Sequence, residues 1–109
     1  MKLIFAVVQT EDAEVCADAL AGAGVPYTRF ASIGGFLAHE NVTLMLGVAE
    51  DRVESVFELF REKARQRTKT LQAAPVLADT SALLIPGPVE VQVGGATLFI
   101  LPVEQFLRV

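Results

Sequence analysis

Residues 42–64 read VTLMLGVAEDRVESVFELFREKA, an apolar run followed almost at once by a helical repeat. Val42 to Val48 is β-favouring and has the length of a strand rather than a helix. Beyond it, Asp51 and Glu54 stand three apart in the pattern of a capping box. Val53, Val56, Phe57, Phe60 and Ala64 then recur at helical spacing, which predicts an amphipathic helix with a basic last turn.

Upstream, Ala38-His39-Glu40-Asn41 reads as a turn, Phe36-Leu37 as a brief strand, and Gly34-Gly35 as a break. Pro26 to Ser32 alternates, with Pro26, Thr28, Phe30 and Ser32 on one face and Tyr27, Arg29 and Ala31 on the other. Proline at its first position marks an edge strand. A first helix precedes it, with Thr10 or Asp12 as cap, an apolar stripe of Val15, Cys16, Ala19, Leu20 and Ala23, and Gly22 and Gly24 at its end. Residues 2–9 are a buried strand.

Downstream, residues 68–87 form a connection holding Pro75 and Pro86, longer than the usual limit of about 12–15 residues for a structureless loop. Pro88 to Val93, the pair Gly94-Gly95 and Ala96 to Pro102 read as a hairpin. A tail, Val103 to Val109, follows. The order strand, helix, strand, strand, helix, strand hairpin is that of an α+β ferredoxin-like βαββαβ plait with a C-terminal hairpin extension, in a single domain spanning 1–109. Leu3–Val8, Thr43–Val48 and Ala96–Leu101 are apolar at nearly every position, so both sheet faces want burial while two helices cover one. An obligate oligomer is therefore expected, and three sheets packed around an axis would close it, although periodicity alone does not separate a dimer from a trimer.

Composition limits the function. The chain has 109 residues, 52% apolar, net charge -4, one cysteine, one histidine and 8 glycines with 5 prolines, which excludes a disordered chain and a disulfide framework. The acidic balance argues against general nucleic-acid binding. The leading apolar run ends after six residues at Gln9, too short for a signal peptide core or a membrane span, so a cytoplasmic protein without membrane insertion is expected. Asn41-Val42-Thr43 matches a glycosylation sequon that has no consequence without secretion.

No catalytic constellation stands out. Cys16 lies on the apolar stripe and His39 in the polar turn, and one cysteine with one histidine cannot make a zinc site within one chain. The glycine pairs lack the GxGxxG spacing, and there is no GxxxxGK[ST] loop. The expectation is a binding protein, not an enzyme, with no cofactor.

Several segments together resemble the PII-like cyclic-di-AMP receptor proteins, small trimeric bacterial signal-transduction proteins. They are Met1-Lys2 leading into the strand that ends Val8-Gln9, Asp12, the run Ala31-Ser32-Ile33-Gly34-Gly35-Phe36-Leu37, Asn41, Thr43, Gly47-Val48, and the block from Pro88 to Val103. The resemblance covers the whole chain. It implies a homotrimer with a cyclic dinucleotide, cyclic di-AMP, in each cleft between subunits, acting on a downstream protein target through loop ordering. By position it assigns Thr28, Gly35, Phe36, Leu37, Asn41, Gly47 and Phe99 to the ligand. The chemistry agrees: N–H groups beside Gly35 can approach phosphate, Asn41 can pair with a base edge, and Phe36 and Phe99 can stack on adenine. In any plait the same apolar residues also serve as core or interface.

The chain departs from the family pattern at Gly24, where asparagine is common, at Pro26, where arginine is typical, and at Ala38 and Glu40, which replace a basic residue and a glycine. The alternative is a PII-like trimer that has exchanged the dinucleotide for another nucleotide or anion, such as ATP or ADP, or binds only a protein. Arg61, Lys63, Arg65, Arg67 and Lys69 supply the positive charge nearest the long loop, as phosphate contacts or as a solvated helix end complementing the dipole.

Overall fold

The computed structural model describes the backbone of residues 1–34, 37–71 and 89–109, and their side chains except at 32–34, 37–39, 71 and 89. The elements are β1 (Lys2–Gln9), α1 (Thr10–Gly22), β2 (Thr28–Gly34), β3 (Leu37–Val48), a 3₁₀ turn (Glu50–Arg52), α2 (Val53–Lys63), β4 (Arg67–Leu71), β5 (Val89–Val93) and β6 (Ala96–Pro102). Four strands form an antiparallel sheet in the order β2-β3-β1-β6, which is the plait expected, and β4 and β5 pair as a separate two-stranded ribbon.

Strand alternation sorts the sheet into two faces. Ile4, Ala6 and Val8 of β1 stand beside Leu46, Leu44 and Val42 of β3, and all six are buried. Ala13, Cys16, Ala17 and Leu20 of α1 and Val56, Phe60 and Ala64 along and just beyond α2 complete this core. The stripe on α1 therefore differs from the one read in the sequence: Val15 is exposed, and Asp12, Ala13 and Ala17 take the buried face. The short alanines let the helix lie close to the sheet, a geometry that a hydropathy pattern does not encode.

The helix ends are set by backbone chemistry more than by the side chains expected. Thr10 is the first residue of α1 and its hydroxyl donates to the Glu40 carbonyl (3.1 Å), while the capping residue is Gln9 without a side-chain bond. Asp12 is buried for a reason given below. At the C-terminus the Val25 N–H donates to the Leu20 carbonyl (2.9 Å) and the Gly24 N–H to that of Ala21 (3.0 Å), a Schellman motif. Gly24 has φ +71°, and Val25 and Leu20 are both buried, supplying the motif's apolar contact. The capping box at Asp51 does not form, because the 3₁₀ turn puts Asp51 inside a helical turn and makes Arg52 the capping position. Arg52 instead donates to the Ala23 carbonyl (3.1 Å), tying the approach to α2 to the end of α1.

Three sequence expectations are corrected. Residues 38–41 are not a turn but part of β3, which pairs with β2 back to Gly34, so His39 is a strand residue. The register shift between Ile33 and Gly34 carries the irregularity that the glycines announced. The connection begins later than residue 68, because β4 occupies Arg67–Leu71; residues 72–87 lie outside the described residues. Finally, β5 and β6 do not pair as a hairpin. Gly94 (φ +85°) and Gly95 (φ +87°) carry the chain from the ribbon into the main sheet, where β6 joins β1, as the Gly95 N–H donates to the Ala64 carbonyl.

Candidate functional site

The sheet face away from the helices carries Leu3, Phe5 and Val7 of β1, Thr43, Met45 and Gly47 of β3, Thr28 and Phe30 of β2, and Thr97, Phe99 and Leu101 of β6, by register and alternation. Phe30, Phe99 and Leu101 are each more than 40% exposed in the single chain. At one end of this face a cavity of about 420 Å³ is lined by Met1, Leu3, Pro26, Tyr27, Thr28, Met45, Gly47, Val103 and Phe106. Its rim is closed by the tail, as the Val103 N–H donates to the Met1 carbonyl (3.2 Å). Gly47 lies on its floor, where an added Cβ would meet Met1 Sδ at an ordinary contact distance of 3.8 Å.

The sequence-assigned ligand residues fall into separate places. Thr28 and Gly47 line this cavity together. Phe99 sits level with them but on β6, paired with Phe5, three strands across from Thr28. Asn41 is buried at the opposite end of the sheet, flanked in register by Gln9 and Ser32, and Leu37 lies beyond it. Gly35 and Phe36 lie outside the described residues. Along β3, six residues separate Asn41 from Gly47, which at a strand rise of about 3.4 Å per residue is about 20 Å.

A second cleft, about 500 Å³, opens beside Asn41 between Gln9, Thr10, Glu11 and Glu40 on one side and Val91, Gln92 and Val93 of the ribbon on the other. Glu40, one of the departures noted in the sequence, lines this cleft, and Pro26 lines the other cavity. Gly24 has a conformational reason: its positive φ belongs to the helix cap, a region that glycine and asparagine both favour.

The basic run does not gather into one site. Arg61 and Lys63 meet Glu58 (3.5 Å) and Glu62 (3.7 Å), and Lys69 meets Glu11 (3.8 Å). Arg67 makes the strongest contact, its two terminal nitrogens donating to the two carboxylate oxygens of Asp12 at 2.8 and 3.2 Å. Hydrogen bonding to Asp12 pushes the guanidinium further above its ordinary range. This pair was not legible in the sequence, where Asp12 looked like a helix-cap residue and Arg67 a helix-end cation. Their separation of 55 residues carries no periodic signal. Cys16 is fully buried, and burial, with a smaller contribution from Asp12, pushes its thiol up to about 11, far from a nucleophile's range. Among the described residues no cluster of three or more potential metal ligands occurs, and no helix is long and apolar enough to cross a membrane.

A plait with an extra ribbon and an apolar open face defines a PII-like protein, and the fold agrees with that of Arabidopsis thaliana PII bound to citrate at a TM-score of 0.64 and 22% identity, covering 99% of this chain and 79% of that one. A crystal structure of a functionally unknown protein from Pediococcus pentosaceus ATCC 25745 is also similar, with a TM-score of 0.77 and 36% identity over 99% of this chain and 96% of that one. The cyclic-di-AMP receptor family matches residues 1–109, and the chain belongs to that family.

Proposed function

We propose that the protein is a signal-transduction trimer, not an enzyme, that binds cyclic di-AMP in clefts between subunits and passes the signal to a protein target through loop ordering. The observation that carries this reading is the separation of the ligand residues. At the usual strand rise, Asn41 stands about 14 Å from Thr28 and about 20 Å from Gly47 along the sheet. A cleft between two subunits would let one ligand meet both sets at close range. Cyclic packing of the apolar faces would bury Phe30, Phe99 and Leu101 and bring one subunit's Thr28 end toward its neighbour's Asn41 end. The adenine bases then meet aromatic and apolar surface, with Thr28 and Asn41 as hydrogen-bonding partners.

A complementation experiment tests the shared site. Thr28→Glu and Asn41→Leu each remove one half of it, and each homotrimer is expected to bind cyclic di-AMP poorly. Mixed trimers refolded at equal proportions place two intact halves together in about one quarter of clefts, by random assembly on a three-fold axis. Recovery of tight binding at that fraction supports the reading. No recovery, with mixing verified by mass spectrometry, refutes a site shared between subunits. Binding of ATP or ADP in place of cyclic di-AMP would keep the cleft and change its ligand.

A further inference from the structure

The ribbon formed by β4 and β5 pairs with no other strand among the described residues, and it joins the plait through two short links, residues 64–66 and Gly94–Gly95. Its direction is therefore set by contacts at its root. Four hold it on the β1–α1 side: the Gly94 N–H donates to Gln9 Oε1 (2.8 Å), Lys69 and Arg67 approach Glu11 (3.8 and 3.9 Å), and Arg67 forks onto Asp12. The last is the strongest. The Asp12 side chain is only 6% exposed and Arg67 38%, so the pair is partly withdrawn from water, and two parallel charge-assisted hydrogen bonds fix angle as well as distance. Arg67 Nη1 also donates to the Arg65 carbonyl (3.1 Å), bracing the guanidinium against its own link.

This arrangement lies next to the candidate ligand residues. Asp12 follows Gln9 by three residues, Gln9 pairs in register with Asn41, and Val91–Val93 of the ribbon form the far wall of the 500 Å³ cleft. Rotation of the ribbon about its two links would widen or narrow that cleft. We infer that the Asp12–Arg67 pair is a positioning latch: it sets the ribbon over the Asn41 end of the sheet and so fixes the geometry of the ligand cleft. The effect on ligand rests on the receptor reading above; the effect on the ribbon does not.

Double electron–electron resonance between labels at Thr70→Cys on β4 and Asp18→Cys on α1, in trimers diluted with unlabelled subunits, reads ribbon direction without any ligand. The latch predicts one narrow distance distribution in the parent chain. It should broaden or shift in Arg67→Ala and Asp12→Asn, recover partly in Arg67→Lys, and change least in Lys69→Ala, which loses only a longer, more exposed contact. Cyclic di-AMP affinity should fall by about 2- to 30-fold in the same order, the range expected of coupling through a positioning contact. Asp12→Asn, which keeps the side chain's size, serves should Arg67→Ala fail to fold. An unchanged distribution in a folded Arg67 or Asp12 variant overturns the latch. A broadened one with parent-like affinity overturns its role in shaping the cleft. If the parent chain binds no cyclic di-AMP, the receptor reading fails while the distance distribution still decides the latch.

Discussion

Gly94 and Gly95 offer a controlled comparison, because they share a backbone conformation and differ in surroundings. Their φ angles are +85° and +87°, so alanine at either must adopt a left-handed conformation. That costs about 1–2 kcal/mol, offset by about 0.4–1 kcal/mol from the reduced freedom of the unfolded chain. Around Gly95 a Cβ meets nothing within 4 Å, so Gly95→Ala should lose only about 0.5–1 kcal/mol. At Gly94 the Cβ would run into the Arg65 carbonyl oxygen and lie 2.6 Å from Arg67 Nη1. The carbonyl is backbone and cannot swing aside without moving the link that carries Arg67. Adding an overpacking cost of about 1–3 kcal/mol puts Gly94→Ala near 2–4 kcal/mol. Urea unfolding followed by circular dichroism, at one fixed protein concentration, measures both. Equal losses in the two variants would refute the packing argument. A large loss at Gly95 alone would reverse it.

Further expectations concern the core, the thiol and the surface. Phe60 is 1% exposed and Phe57 42%, so Phe60→Ala should cost about 3–5 kcal/mol and Phe57→Ala about 1 kcal/mol or less in the same assay. Cys16 should resist a thiol reagent at pH 8 until the protein unfolds, and labelling at the rate of a free thiol would contradict its burial. Its thiol is held at about 11 against 9.0 for an unperturbed cysteine. Above pH 9 the unfolded chain therefore releases a proton that the folded chain keeps, so stability should be unaffected by Cys16 below that pH and fall by about 2–3 kcal/mol between pH 9 and 11. Cys16→Ala should flatten that part of the profile; an unchanged slope would assign it to other groups. Arg29 meets Glu14 at 2.9 Å with both side chains well exposed, and Arg29→Ala should change stability by less than about 0.5 kcal/mol.

Much of the plait was legible because it is written in local chemistry. The apolar runs at 3–8, 43–48 and 96–101 became β1, β3 and β6, and the repeat ending at Ala64 became α2. What was not legible depends on tertiary pairing. Thr68 to Leu71 has no sheet neighbour in sequence and becomes a strand only because Val89–Val93 lies against it. The same pairing removes β5 from the hairpin that two adjacent glycines had implied. Residues 38–41, polar after Ala38, read as a turn, yet they extend β3 because β2 and β1 offer partners on both sides of Asn41. Within the candidate site, strand alternation placed Thr28 correctly opposite Arg29, whose guanidinium reaches Glu14 on the helix side. The distance between Thr28 and Asn41 needed the register, which no local pattern encodes.

Isothermal titration of the purified chain with cyclic di-AMP, with ATP and cyclic di-GMP as competitors at one salt concentration, tests the central claim most directly. Saturable binding at one ligand per subunit, weakened by Asn41→Ala and by Phe99→Ala and not displaced by the competitors, is the predicted result. No heat and no thermal shift at high cyclic di-AMP, from a protein shown to be folded, would contradict it.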